Sequence, residues 1–215
     1  NLAVEISPTR THNVNQGYNG NPGVSRNYHL TKFLDCSEQG IELMTIFDWH
    51  EWDKLLEMVR SKLQGVNQRI YARKTTYVED EVIDKESFEM LSKWHILDLP
   101  SNFKRDNIVG RLLHENETVG IALWTNTNDE STVELKRLVF KPGVSVLGGS
   151  SKLIKNFLRE NNHISEVMTY SDCDLGQGNV YKTLGFELIE ESKPQLNYYN
   201  VYYKNLCIYF NSPWN

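Results

Sequence analysis

Few residues in this chain stand in a pattern that could do chemistry, and each pattern is short. Gly148-Gly149-Ser150-Ser151 follows a strand-like run closed by Pro142-Gly143 and precedes a helix whose apolar stripe is Leu153, Ile154, Phe157 and Leu158. Glycines at such a junction let backbone N–H groups approach an anion, and the helix N-terminus adds a favourable dipole, so the loop suits a pyrophosphate. The same residues also suit a plain tight turn. A second pattern is basic: Arg69, Arg73 and Lys74, joined by Lys104 and Arg105, read as a solvated face or a residual DNA contact. His50-Glu51-Trp52 lies where a strand hands over to a helix, so Asp48 is expected to cap that helix and Glu51 to favour its positive end, in preference to metal binding. His95, His114 and His163 fall on different elements. Cys36, Cys173 and Cys207 are far apart and odd in number, which argues against a disulfide scaffold and a structural zinc site and makes a reducing cytoplasm the default.

These residues need elements to position them. Leu2-Ala3-Val4-Glu5-Ile6 reads as a strand, the Asn- and Gly-rich residues 13–23 as a loop, and Tyr28, Leu30, Phe33 and Leu34 as a helix stopped by Gly40. A strand over 41–47 and a helix over 51–63, with Trp52, Leu55, Leu56, Val59 and Leu63 on one face, complete an α/β layer. Beyond residue 67 the pattern predicts a helix over 85–94 and an antiparallel meander of strands over 110–113, 119–124 and 133–140. The helix after Ser151, a strand over 167–170, a short helix over 179–184 and strands over 186–189 and 198–210 follow. Trp49, Trp52 and Trp94 read as core or interface aromatics, since no basic residues interleave with them.

Composition narrows the classes. A hydrophobic content of 40% with 5 Trp and 11 Tyr supports real cores. Lys and Arg total 23 against 28 Asp and Glu, a net charge of -5. Residues 1–67 hold 6 basic and 8 acidic residues and 68–215 hold 17 and 20, so no basic arm hides in the average, and gripping DNA phosphates is disfavoured as the main task. No apolar run approaches the roughly 18 residues of a membrane span. The chain begins at Asn1 with neither Met nor a leader pattern, so it is expected to be soluble and to be a fragment.

The order of parts from Val133 to Phe186 resembles the acetyl-CoA-dependent GNAT acyltransferase fold. Arg137-Leu138-Val139-Phe140-Lys141-Pro142 leads into the glycine loop and helix, and Asn179-Val180-Tyr181-Lys182-Thr183-Leu184-Gly185-Phe186 follows. The resemblance implies acetyl-CoA as cofactor, Gly148, Gly149, Ser150, Ser151 and Asn179 in its binding, and Tyr181 as the acid that protonates the departing thiolate. The Arg or Gln that opens the family's loop falls on Ser145.

The whole chain resembles phage homing-endonuclease-type proteins, in which a very-short-patch-repair-like nuclease domain of the PD-(D/E)XK class precedes a GNAT-like domain. Asn1-Leu2-Ala3-Val4-Glu5, His12, Tyr28-His29-Leu30 to Cys36 with Gly40-Ile41, Ile46-Phe47-Asp48 with Glu51-Trp52, and Arg69-Ile70-Tyr71-Ala72-Arg73-Lys74 carry this likeness. It implies an incomplete restriction-endonuclease-like α/β domain over 1–67 and a GNAT-like mixed-sheet α+β domain over 68–215. Glu5 would be a catalytic acid and a ligand of Mg²⁺, and His12 a general acid or base. Ser7-Pro8 stands where a polar residue and Gly are usual, and Cys173-Asp174 replace two arginines expected to face phosphate. The expectation is therefore a DNA-associated, phage homing-endonuclease-like protein with impaired or absent cleavage, in host cytoplasm or virion. The alternatives are a non-catalytic phage structural protein, with phage proteins or further copies of itself as partners, and an acetyl-CoA-dependent N-acyltransferase.

Overall fold

The computed structural model describes residues 1–8, 23–25, 27–48, 50–96, 107–191, 195–197, 202–204 and 206–211. The elements begin with β1 (Leu2–Ser7), α1 (Tyr28–Glu38), β2 (Glu42–Phe47), α2 (Trp52–Gln64), β3 (Gln68–Tyr71), a 3-10 turn (Ala72–Lys74), β4 (Thr76–Asp80) and α3 (Lys85–Trp94). They continue with β5 (Ile108–His114), β6 (Glu117–Asn126), β7 (Thr132–Phe140), β8 (Val144–Leu147), α4 (Gly149–Glu160) and β9 (Glu166–Asp172). The last are α5 (Asn179–Thr183), β10 (Glu187–Glu191), β11 (Gln195–Asn197), β12 (Tyr202–Lys204) and β13 (Leu206–Asn211). None of the described helices is long and apolar enough to cross a membrane.

Packing divides the chain into two compact units, Asn1–His50 with Tyr170–Phe210, and Glu51–Thr169 with Asn211–Asn215. This partition by packing does not follow the boundary between residues 67 and 68 expected from the sequence. In the first unit β1 and β2 pair in parallel, Leu2 opposite Glu42 through Ser7 opposite Phe47. Leu43 to Phe47 are all buried. The segment after β9 lies along β2: Thr45 N–H donates to the Asp174 carbonyl at 2.6 Å and Gln177 Nε2 to the Ile41 carbonyl at 3.0 Å. Cys173 and Asp174 are thereby buried at 4% and 6% exposure. That corrects the expectation that this pair occupies a phosphate-facing surface. β10 pairs antiparallel with β13, and β11 with β12.

The second unit is built on a mixed sheet, with strands in the order β9, β7, β6, β5, β4. The β5–β6 hairpin turns on Glu115 and Asn116 at φ 53° and 66°, the two left-handed residues that a type I′ turn requires. On one face Leu91 of α3 joins Ile83, Val109, Ile121, Leu123 and Val139 in a buried cluster, with Met90 and Trp94 packed against it. α4 covers the other face through Leu153, Ile154 and Phe157, and Phe157 stacks on fully buried Trp124 with ring centroids 4.0 Å apart. α2 starts at an N-cap formed by Glu51 without a side-chain cap bond, so Asp48 is not the cap the sequence suggested. His50 instead turns back, its Nδ1 accepting the Phe47 N–H at 3.1 Å.

Candidate functional site

β7 is the strand on which the site is organised. Its run Thr-Val-Glu-Leu-Lys-Arg-Leu-Val-Phe suits a pleated, half-buried surface, and Pro142 with Gly143 at φ +75° ends it. It pairs in parallel with β9 at only three positions, Thr132 with Glu166, Val133 with Val167 and Glu134 with Met168. Next the buried Thr169 hydroxyl donates to the Leu135 carbonyl at 2.9 Å. On its other side β7 pairs with β6, and the register shifts between Leu123 opposite Arg137 and Trp124 opposite Leu135, which leaves Lys136 as the extra residue of a bulge. A bulge bends its strand and increases its twist. Among the described residues no register pair joins β7 to β9 from Leu135 onward, so the end of β7 presents a main-chain edge.

That edge leads into β8 and α4. Gly148 is the N-cap of α4, in the left-handed region at φ 78°, with no side-chain cap bond, and the first turn holds no acidic residue. Gly149 is required for a different reason: a Cβ there would lie 2.6 Å from Phe140 Cε1 and 2.9 Å from Val146 Cβ. The first helical bond runs from Lys152 N–H to the Gly148 carbonyl at 2.9 Å, so the N–H groups of Gly149, Ser150 and Ser151 precede it as first-turn donors. The Lys152 ammonium clamps the turn by donating to the carbonyls of Thr75 and, at 2.9 Å, Ala72. β8 is held by parallel pairing with β3, Gln68 opposite Val144 through Tyr71 opposite Leu147.

Beside the end of β7 lies a cavity of about 630 Å³. Met58, Trp94, Phe140 and Pro142 give it apolar walls, α2 sets Asp53, Lys54 and Glu57 on its lining, and Lys93 and His95 add to it from the end of α3. Sequence reasoning missed this group. Trp94 was read only as a packing aromatic, and α2 was read by its apolar stripe, so the carboxylates on another side of the helix carried no signal.

The predicted site residues fall in several places. Gly148, Gly149, Ser150 and Ser151 stand together at the start of α4. Asn179 is the exposed first residue of α5, and the ring of Tyr181 on the same helix lies 5.7 Å from that of Phe186. Both belong to the first unit. Glu5 lies on β1, where its carboxylate accepts from the Lys32 ammonium in an ion pair. Burial alone would lower the Lys32 amine, but the hydrogen bonds its ammonium donates to Glu5 and Tyr28 outweigh it and hold the group above its ordinary value. His12 lies outside the described residues. Among those described, no group of three His, Cys, Asp or Glu could hold a metal ion, so the Mg²⁺ site expected at Glu5 has no supporting ligands there.

Neither a family model nor a curated protein matches the sequence. Solved structures do. The spermidine/spermine N-acetyltransferase from Vibrio cholerae matches with a TM-score of 0.50 at 8% identity, over 66% of this chain and 94% of its own. An acetyltransferase from Bacillus subtilis in complex with CoA matches at 0.47 and 11% identity, over 66% of this chain and 100% of its own. A GNAT family acetyltransferase from Elizabethkingia anophelis with acetyl-CoA bound matches at 0.45 and 12%, over 65% and 99%. The leading expectation, a phage homing-endonuclease-like, DNA-associated protein, is corrected: over about two thirds of its length the chain shares the fold of the Vibrio cholerae N-acetyltransferase, and Glu5 is engaged by a lysine. The described part of residues 1–47 consists of the parallel pair β1–β2 and helix α1, and no incomplete nuclease domain is shown by it. About two thirds of the chain has a GNAT-like fold with a mixed sheet.

Proposed function

We propose that this chain is an acyl-CoA-dependent N-acyltransferase with acetyl-CoA as donor and an amine as acceptor. The observation that carries the reading is that β7 parts from β9 after Glu134 and leads straight to an uncapped, acid-free helix start at Gly148-Gly149. An open strand edge binds an extended, amide-bearing chain through main-chain hydrogen bonds, as in strand addition, which suits the pantetheine arm of CoA. The first-turn N–H groups of α4 suit its pyrophosphate. The cavity beside Phe140 falls within the roughly 300–1,000 Å³ of small-molecule sites. Amine acylation is also what the Vibrio cholerae spermidine/spermine N-acetyltransferase performs.

Bound acyl-CoA supplies the acyl group as a thioester. The chain's own residues hold and orient: the β7 edge aligns the arm, Trp94 and Phe140 exclude water, and the carboxylate of Asp53 accepts a hydrogen bond from the amine, Glu57 being paired with Arg60. As the new C–N bond forms and the C–S bond breaks, the amine proton passes to carboxylate or solvent. The sulfur takes a proton that the GNAT resemblance assigns to the Tyr181 hydroxyl, an assignment resting on that resemblance alone. Calorimetric titration with acetyl-CoA tests the reading, with a Kd between about 1 μM and 1 mM expected from the usual range of enzyme substrates. No heat at millimolar ligand overturns it. Thiol release with a panel of amines then tests turnover, and Tyr181→Phe is expected to lower kcat by about 100-fold at unchanged KM if the hydroxyl acts as the acid.

A further inference from the structure

Helix α2 keeps a line of large apolar side chains at the surface. Trp52, Leu56 and Leu63 are 41%, 47% and 67% exposed, while Leu55 on the same helix is fully buried and ties it down. With partly buried Val59 between them, these positions follow one another at steps of 4, 3 and 4 residues, so they form one straight seam along the helix, as in a heptad pattern. At about 100° per residue the seam lies on the far side of α2 from Lys54, Met58 and Ser61, which line the cavity beside β7, so it is not a wall of that site. Exposed apolar residues scattered singly are ordinary, but three along one line of a helix mark a contact surface.

The charges beside the seam say what covers it. With Leu56 and Leu63 as heptad a positions and Trp52 and Val59 as d, the flanking e positions are Asp53 and Arg60, both exposed and opposite in sign, one in each half of α2. A two-fold axis between Leu56 and Val59 runs a second α2 antiparallel to the first. It sets Trp52 against Leu63 of the second copy and Leu56 against Val59, and brings each Asp53 alongside the other Arg60, so the contact closes on itself. In a parallel pair an e position faces g of the other helix, which for Arg60 is Leu55, buried in its own fold, and no opposite charges meet. The Arg60 guanidinium lies 3.7 Å from Glu57 in an exposed pair of small worth, and its five donors can serve both carboxylates. Asp53 accepts at both oxygens, which leaves one for the amine of the proposed reaction. We propose that α2 is the interface of a homodimer, in which two copies pack this seam antiparallel with reciprocal Asp53–Arg60 ion pairs. A helix of 13 residues, about 20 Å long, buries less than the roughly 1,200 Å² of stable interfaces, so the dimer is weak and concentration-dependent.

Sedimentation velocity over about 5 to 500 μM protein tests it. The average mass of wild type is expected to rise toward twice that of the monomer, with a Kd of about 10–100 μM. Leu63→Glu should stay monomeric throughout, and its thermal melt in dilute solution should match wild type because the side chain is exposed. Asp53→Arg and Arg60→Asp should each weaken the dimer about tenfold, since either one sets like charges together twice. The Asp53→Arg/Arg60→Asp swap should return to within about threefold of wild type, because opposite charges meet again with the positions exchanged. Monomeric wild type at every concentration overturns the proposal, and so does self-association that Leu63→Glu leaves intact. Loss in Leu63→Glu without recovery in the swap overturns the antiparallel pairing. A monomeric wild type that sediments with vesicles of phosphatidylcholine and phosphatidylglycerol, while Leu63→Glu does not, overturns it in favour of a membrane surface.

Discussion

Asp84 shows how one carboxylate sets a helix start. Its Oδ1 accepts the Ser87 N–H at 2.6 Å, one of the first-turn donors of α3. That backbone bond, with help from the Ser87 hydroxyl and the nearby Arg111, holds the Asp84 carboxyl below its ordinary value of 3.8 despite partial burial. A depressed folded value means that the stabilisation is present above the unfolded value and is lost as pH falls through the folded one. Asp84→Ala should therefore cost about 1 kcal/mol near neutral pH, a normal cap contribution. The gap between variant and wild type in urea melts should close well below pH 3.8. Gly148 and Gly149 separate two further single-residue demands. Gly149→Ala should destabilise by about 1–3 kcal/mol through overpacking against Phe140 and Val146 and should abolish acetyl-CoA binding by shifting the helix start. Gly148→Ala meets only Ala72, at 3.6 Å, and should cost about 1–2 kcal/mol for its left-handed backbone, with the loop path kept. Thermal melts of the pair, with calorimetry, check both. Both glycines stood out in the sequence, but which one answers to packing and which to φ depends on Phe140, whose approach no local pattern encodes. Glu5 was equally visible, and its partner Lys32 was not, because it stands 27 residues away on another element.

Elements defined by local periodicity were legible, and those defined by distant partners were not. α3 runs over the predicted 85–94, and the meander lies within a few residues of its predicted strands, since alternating side chains and two-residue turns are local signals. β8 read as part of a loop because Val-Ser-Val-Leu becomes a strand only by pairing with β3, far away in the chain. The bulge at Lys136, which opens the strand edge, is a mismatch between two strands and has no signature in either alone. α2 marks the limit of periodicity. The apolar positions identify the helix, yet Leu55 is fully buried while Trp52, Leu56 and Leu63 are 41%, 47% and 67% exposed. This difference yields a paired prediction. Phe157→Ala removes a fully buried ring stacked on Trp124 and should cost about 3–5 kcal/mol by denaturant melts, loosening α4 from the sheet. Leu63→Ala should change stability by no more than about 0.5 kcal/mol.

At the scale of the whole molecule, the net charge of -5 and the acyl-CoA reading pull in opposite directions, because the proposed donor is itself an anion. Long-range repulsion from an acidic protein and short-range attraction from Arg69, Arg73 and Lys74 have opposite salt dependences. The Debye length is about 10 Å at 0.1 M salt, so at ordinary ionic strength the distant acids are largely screened while charges in contact are not. If the molecular charge governed the encounter, added salt would relieve repulsion and strengthen acetyl-CoA binding. If the local cations govern it, added salt weakens binding by competing for them. The second sign is expected for wild type, because the acid-free segments around β3 and β8 keep counter-charges away from the ligand. In an Arg69→Ala/Arg73→Ala double variant the salt slope should flatten or change sign, since the repulsion of the remaining molecule is then less opposed. Titrations at a series of salt concentrations read the slope directly. A wild-type slope that strengthens binding with salt would place the anion away from Arg69, Arg73 and Lys74.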